Sequence, residues 1–298
     1  MTIRTVTLIG ANGTLGPSVL AALLAAKTFT VTVLSRASSK SKYGADVTDK
    51  RLSDDFPTHE LQDALRGQDA VVVTTAGTND DLQIRIADAA VAAGVRRFVP
   101  ADFGSCDSGS ARALDLVPLY GAKKKVREHL ERLAGENEGF SWTSLVCGHF
   151  FDHGLQTELL HFDVLGRKVR VFDGGDVKAS FTTLETIGFA TVRVLQRERE
   201  TEGKMLYIQS FCVSQNEVLE VVKKVKGGEW KVENVDAEEY MREQKKRLAE
   251  GDKEATERLV GALGVVDADW RGKEGFAMEL LGLEDEDLED VVRKAIGK

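Results

Sequence analysis

Apolar residues in the N-terminal half fall into short runs separated by stretches with helical spacing. Thr5-Val6-Thr7-Leu8-Ile9 is such a run and ends at three glycines spaced G-x-x-G-x-x-G; a leucine- and alanine-rich stretch, 19–26, follows at once. That order predicts strand, tight turn and helix. Residues 29–34 alternate and are β-branched, which predicts a second strand. A short helix is expected over 60–66. Residues 70–75 form a continuous apolar run of the kind buried in parallel sheets. Residues 83–93 place Ile84, Ile86, Ala87, Ala90 and Val91 at helical spacing and close on Gly94, a helix and its stop. Arg97-Phe98-Val99-Pro100 begins another strand and leads into Ala101-Asp102-Phe103-Gly104. Four strand–helix units in this order predict an α/β fold with a doubly wound, Rossmann-like parallel sheet.

The pattern changes near residue 158. Residues 169–172 and 173–176 read as strand and turn, 184–195 as a helix, and 204–209 as a strand that rejoins the sheet. Ser214 and Glu217 occupy capping-box positions for a helix running to Val225. Residues 236–263 are strongly charged and read as helical, and 283–289 opens a final acidic helix whose carboxylates suit the positive end of the helix dipole. The expected division is a dinucleotide-binding part over 1–152, to which about 180–212 return, and a smaller α+β substrate-binding part over 153–298.

Composition narrows the class. The chain has 298 residues, 42% hydrophobic and 30% charged, with no apolar run near the ~18 residues of a membrane span. Its net charge of −8 argues against a nucleic-acid partner. Met1-Thr2-Ile3-Arg4 leads straight into the first strand, leaving no room for a signal peptide. The three cysteines, Cys106, Cys147 and Cys212, match no metal spacing and fit a reducing compartment, so the cytoplasm is expected.

The glycine turn is the first candidate site. Gly10 permits the sharp turn, Gly13 removes a side chain where a pyrophosphate would lie, and Gly16 lets the helix pack close to the strand. Asn12, Thr14 and Leu15 complete the cradle, and the helix N-terminus aims its free N–H groups at the anion. The second strand ends at Ser35-Arg36-Ala37-Ser38-Ser39-Lys40-Ser41-Lys42, with no acid between Thr28 and Gly44. A carboxylate there would bind a ribose hydroxyl, whereas Arg36 suits a 2′-phosphate, so NADP(H) is expected over NAD(H). Lys40 and Lys42 either join Arg36 or decorate a solvated loop. Thr75, Ala76 and Gly77 form a small-residue loop at a strand's carboxyl end, where α/β proteins hold ligands. His149 and His153 have H-x-x-x-H spacing, with Asp152 between them. Neither a helix nor a third ligand is expected there, so no metal is assigned.

Further along, Tyr120-Gly121-Ala122-Lys123-Lys124-Lys125-Val126-Arg127 contains K-x-x-[IV]-R, and Asp102-Phe103-Gly104 is similar to P-S-E-F-G. Together with Gly10–Gly16, Arg36, Gln83 and the stretch Ala92–Pro100 that closes its helix and opens the next strand, Ser141–Val146 and Gly148-His149-Phe150-Phe151, these motifs resemble the isoflavone-reductase-like branch of the NmrA-like, atypical short-chain dehydrogenases. The fungal members are the nearest in kind. The resemblance runs through roughly the first 215 residues, a domain-scale extent. It implies that Gln83, Asp102, Phe103, Lys123 and Phe150 join the cofactor site and that Lys123 does acid–base work beside the nicotinamide. A rival pattern, Y-x-x-x-K of ordinary short-chain dehydrogenases, is also present as Tyr120 and Lys124, which share a helix face while Lys123 lies about 100° from Lys124. A third reading leaves the lysines on a solvated face. Phe150 and Phe151 either line the substrate pocket or pack in the core, and Cys147 reads as a buried, inert thiol.

The expected activity is NADPH-dependent reduction of a small aromatic or polyketide-like secondary metabolite, with Lys123 as acid/base. Two alternatives stay open: a non-catalytic NADP(H)-binding redox sensor, and an epimerase or dehydratase that retains its cofactor. The expected partner is a small aromatic substrate, with no nucleic acid and no membrane, and a homodimer is left open.

Overall fold

Seven parallel strands carry the fold. The computed structural model describes residues 2–297. Strands β1 (Thr5–Ile9), β2 (Thr30–Arg36), β3 (Val47–Leu52), β4 (Ala70–Val73), β5 (Arg97–Val99) and β6 (Ser141–Val146) are joined by a late strand, β11 (Lys204–Tyr207), in the order β11-β6-β5-β4-β1-β2-β3. Every neighbouring pair is parallel. The strand order reverses between β1 and β4, so a crevice opens at their carboxyl ends.

Helices cover both faces, as a parallel sheet requires. One layer holds α1 (Gly16–Ala25), against which α7 (Leu184–Gln196) packs. The other holds α2 (Thr58–Leu65), α3 (Asp80–Ala92) and α5 (Pro118–Glu136), with the short α4 (Ala111–Leu116) leading into α5. Asn79 caps α3 by accepting from Leu82 N, which starts the helix three residues before the apolar spacing does.

The rest of the chain builds two small sheets. Strands β7 (His149–Phe150), β10 (Lys178–Thr182) and β12 (Phe211–Ser214) form one, and β8 (Phe162–Asp163), β9 (Lys168–Phe172) and β13 (Lys231–Val235) form the other. Around them lie α6 (Phe151–Gln156), α8 (Glu198–Thr201), α9 (Gln215–Lys226), α10 (Ala237–Ala249), α11 (Ala255–Val266), α12 (Met278–Leu281) and α13 (Leu288–Ile296). Ser214 and Glu217 form the expected capping box on α9. Among the described residues no helix is long and apolar enough to cross a membrane.

Four expectations change. β3 was not expected, because Thr48-Asp49-Lys50-Arg51 shows no apolar alternation; it is an edge strand, polar on its open side, which protects the edge from pairing with another chain. The charged stretch 236–263 is two helices, broken at Gly251, where φ is +98°. The last helix starts at Leu288 with Asp287 as its cap, because Glu286 is drawn inward to accept from Thr183, Thr186 and Ser210. A short helix, α6, occupies 151–156, where none was expected.

One buried cation ties the sheet to its late strands. Arg97 is 2% exposed and donates to Ser141 Oγ (2.9 Å), Thr143 Oγ1 (2.7 Å), Thr201 Oγ1 (3.0 Å) and the Glu198 carbonyl (2.6 Å). It thereby joins β5, β6 and α8. Removing it leaves buried acceptors without a donor, so Arg97→Leu should lower the unfolding free energy by about 3 kcal/mol. Urea denaturation with far-ultraviolet circular dichroism measures the loss.

Candidate functional site

A cavity of about 890 Å³ runs across the crevice at the carboxyl ends of β1, β2, β4 and β5. Its first wall is the glycine turn. Gly10 sits at φ +98°, and a Cβ there would lie 2.8 Å from Thr74 C and Thr75 N. A Cβ at Gly16 would lie 2.1 Å from Gly10 O. Both glycines are therefore required by the protein's own backbone. Gly13 is different: its Cβ would come no closer than 3.5 Å to any protein atom. What the missing side chain keeps clear is the cavity, which Gly13 lines with Gly10, Asn12, Thr14 and Leu15. Helix α1 has no side-chain cap and no acid in its first turn, so its N-terminal dipole is uncompensated there. Gly16 lies behind the turn and does not line the cavity.

The second wall is the loop after β2. Arg36, Ser38, Ser39 and Lys40 line it. The loop is tied down by groups the sequence reading did not find. Arg51, from β3, donates to the Ser39 and Ser41 carbonyls at 2.5 Å each; Asn12 Nδ2 donates to Ser41 Oγ at 3.1 Å; Ser38 N donates to Asp54 Oδ1 at 3.0 Å. Lys42 is a correction: it is exposed and stands outside the cavity lining, because the loop turns back toward Asn12 at Ser41.

The far end is formed by the loop after β5, by α5 and by the segment around β7. Lys123 Nζ donates to the Asp102 carbonyl and lies 3.9 Å from Asp102 Oδ1, with its side chain 9% exposed. Asp102 Oδ2 accepts from Ser144 Oγ at 2.7 Å. Its Oδ1 and the neighbouring Thr75 Oγ1 are buried without a hydrogen-bond partner. Thr75, Ala76, Gly77, Asp102, Phe103 and Phe150 line the cavity. Phe103 holds φ +33°, an uncommon conformation for a bulky residue and one that accumulates at ligand sites. Gln83 is buried outside the lining and accepts from Ala101 N at 2.8 Å, so it supports the loop from behind.

Helix α5 separates the lysines. Its buried stripe is Tyr120, Val126, Leu130 and Leu133. At about 100° per residue that stripe lies on Lys123's side of Tyr120, which carries Lys123 inward and Lys124 outward. Lys124 is accordingly half-exposed, 3.4 Å from Glu128 Oε1, and does not line the cavity. Tyr120 lines the cavity without it. Burial holds the Tyr120 hydroxyl well above its ordinary range, so it stands neutral rather than as a phenolate.

The remaining candidates separate in the same way. His149 lies in β7 with Nε2 3.1 Å from Gly261 O, and His153 lies in α6, so the two do not share a helix face. Cys147 is buried, and burial pushes its thiol up. Phe151 is core, edge-on to Phe181 and Phe211. Among the lining residues the sequence did not single out are Ser105, Leu119, Leu159 and Val260. Ser105 follows the Asp102-Phe103-Gly104 motif directly and was findable. Leu159 and Val260 reach the cavity only through tertiary packing.

A model of the NmrA-like family matches residues 2–251. The oxidoreductase aprR of Aspergillus flavus is 36% identical over 262 residues, covering 88% of this chain and 84% of its own length. The structure of the leucoanthocyanidin reductase–NADPH complex from Vitis vinifera aligns with a TM-score of 0.78 at 20% identity, over 99% of this chain and 100% of that one. Isoflavone reductase aligns with a TM-score of 0.77 at 20% identity, over 98% and 99%. At such identities the likeness fixes the fold: a mostly parallel sheet between helix layers with small added sheets.

Two enclosed histidines, His149 in the cavity wall and His161 behind it, give the fold a pH dependence. Burial pulls His149 down to about 4 and His161 to about 3 from an ordinary 6.5. The unfolded chain therefore binds protons that the folded chain refuses, and stability falls as pH drops below 6.5 toward those values. The expected slope is about 1 kcal/mol per pH unit for each histidine. Urea unfolding across pH 4 to 7 should show it, and His149→Gln should flatten the slope by about half.

Proposed function

The chain belongs to the NmrA-like family, and from that premise we propose that it is an NADPH-dependent reductase of a small aromatic or polyketide-like metabolite, with Lys123 as the acid/base. The observation that carries this reading is the placement of a buried lysine ammonium in the same cavity as an uncapped helix N-terminus and a glycine turn. The relative aprR is named an oxidoreductase, and the leucoanthocyanidin reductase complex holds NADPH.

The residues present fit a dinucleotide. Gly13 is bare toward the cavity for no reason internal to the protein, and Thr75, which lines the same cavity, has its Oγ1 buried without a hydrogen-bond partner. The first turn of α1 would hold the pyrophosphate. Arg36, with Lys40 and the Ser38 and Ser39 hydroxyls, would hold a 2′-phosphate. Bound there, the reduced cofactor supplies a hydride. Lys123, anchored through the Asp102 carbonyl, gives a proton from Nζ to the substrate. Phe150, Leu119, Leu159 and Val260 form an apolar wall that excludes water and lets an aromatic ring lie against it.

Incubation with NADPH and a panel of aromatic enones and benzylic ethers tests the reading through loss of NADPH absorbance. Lys123→Ala should cut kcat by about 10²–10⁴ while leaving NADPH affinity nearly unchanged; full turnover in that variant refutes the lysine's role. Arg36→Ala should weaken NADPH binding by about tenfold or more without affecting NADH. Tight NADPH binding with no panel member reduced would favour a sensor, and turnover without NADPH loss an epimerase or dehydratase.

A further inference from the structure

The acid that is missing at the end of β2 arrives from the next strand. β3 runs parallel to β2 with Arg36 opposite Leu52, and Ala37 N donates to the Leu52 carbonyl at 2.7 Å, so the two chains stay in step past the end of the sheet. Two residues further on, Ser38 meets Asp54, and Ser38 N donates to Asp54 Oδ1 at 3.0 Å. Ser38 lines the cavity with Arg36, Ser39 and Lys40, whereas Asp54 is exposed and does not itself line it. The Ser38 hydroxyl and N–H, with the charge of Arg36, hold the Asp54 carboxyl below its ordinary range. Asp54 is therefore an anion at neutral pH, set among the donors that would face a phosphate.

A site for the unphosphorylated ribose keeps a carboxylate near this point, and a site for the 2′-phosphate replaces it with a cation. Here the cations and a carboxylate stand together. We propose that Asp54 is a specificity-determining residue, a fixed negative counterweight that lowers the preference for NADPH over NADH by occupying Ser38 N–H and opposing the field of Arg36 and Lys40. This rests on the reading of the loop after β2 as the 2′-phosphate site. The loop does not need the Asp54 charge to keep its path. Arg51 donates to the Ser39 and Ser41 carbonyls, Asn12 ties Ser41 to the glycine turn, and Ser39 N donates to the Arg36 carbonyl at 3.0 Å. An amide in place of the carboxylate could still accept from Ser38 N. What Asp54 adds is charge, and like charges at exposed sites repel through water by an amount that salt screens. A 2′-phosphate is negative and a ribose hydroxyl is not, so only NADPH meets the repulsion.

The test is equilibrium binding of NADPH and of NADH to the Asp54→Asn protein, measured by calorimetry at low and at high salt. At low ionic strength NADPH should bind about fivefold more tightly than to the wild type, while NADH affinity stays the same. The gain should fade at about 1 M salt. A protein merely loosened by the substitution would not gain affinity for one cofactor alone. Unchanged or weaker NADPH binding, an equal gain for both cofactors, or a gain that salt leaves intact overturns the counterweight. Arg36→Ala separates this outcome from its premise. If that variant binds NADPH as the wild type does, the loop is not the phosphate site and the counterweight falls with it. If it loses NADPH while Asp54→Asn changes nothing, the phosphate site stands and the counterweight alone is refuted.

Discussion

The site depends on one backbone contact. At the end of β1 the Ile9 carbonyl takes both Thr74 N, at 2.8 Å, and Thr74 Oγ1, at 3.2 Å, so β1 and β4 stay joined to their last residues. The chain must then leave the sheet with no room for a side chain on that flank, and Gly10 does so in the left-handed region. Gly16 repeats the condition one turn later, against the Gly10 carbonyl. With these two positions fixed, α1 can only start where its free N–H groups face the crevice. A Cβ at Gly10 or Gly16 overlaps backbone, which cannot swing aside as a side chain can, so either substitution would displace the strand end and the helix start together.

Burial then divides the labour among the cations. Arg36 and Lys40 are exposed at one end of the cavity, and Lys123 is buried at the other. An exposed charge acts through water and salt, and over distances beyond about 10 Å it is largely screened at ordinary ionic strength. It suits capture of a mobile anion. The same charge in a low-dielectric pocket interacts several-fold more strongly with whatever charge develops beside it. Along one cavity the exposed cations at one end and the enclosed Lys123 at the other therefore differ in how strongly salt and water screen them.

What could be read from the sequence follows the range of the interactions involved. The glycine turn, β1, β2, β4 and the capping box on α9 are determined by neighbours within a few residues, and their patterns are local. β3 escaped because an edge strand with one wet side carries Asp49 and Arg51 where alternation would need apolar residues. The choice between Lys123 and Lys124 was present in the sequence only indirectly. Helical period puts Tyr120 and Lys124 on one face, but the face that is buried is set by Val126, Leu130 and Leu133, and their burial is a tertiary fact. Gln83 was singled out by resemblance alone, and its bond to Ala101 N is a tertiary contact no local pattern specifies. Lys42 was taken as part of a cationic loop whose path, set by Arg51 and Asn12, no local rule specifies.

The two ends of the cavity differ in how they are built, and this bears on what likeness to relatives can carry. The glycine-turn end is chiefly one strand–turn–helix unit, closed within the first few dozen residues. The Lys123 end draws on the loop after β5, on α5, on β7, on Leu159 and on Val260 of α11. Helix α11 reaches it because Gly261 and Gly264 leave its flank bare: a Cβ at Gly264 would lie 2.2 Å from His149 Nε2, and one at Gly261 2.9 Å from His161 Nε2. Two imidazoles therefore bear on one helix face, and α11 holds Val260 against the cavity through them. A change in any of these separate segments reshapes the Lys123 end while the glycine turn stays as it is. Likeness at modest identity therefore carries the sheet and its strand–turn–helix unit, whereas the shape of the Lys123 end follows from side chains that meet only after folding.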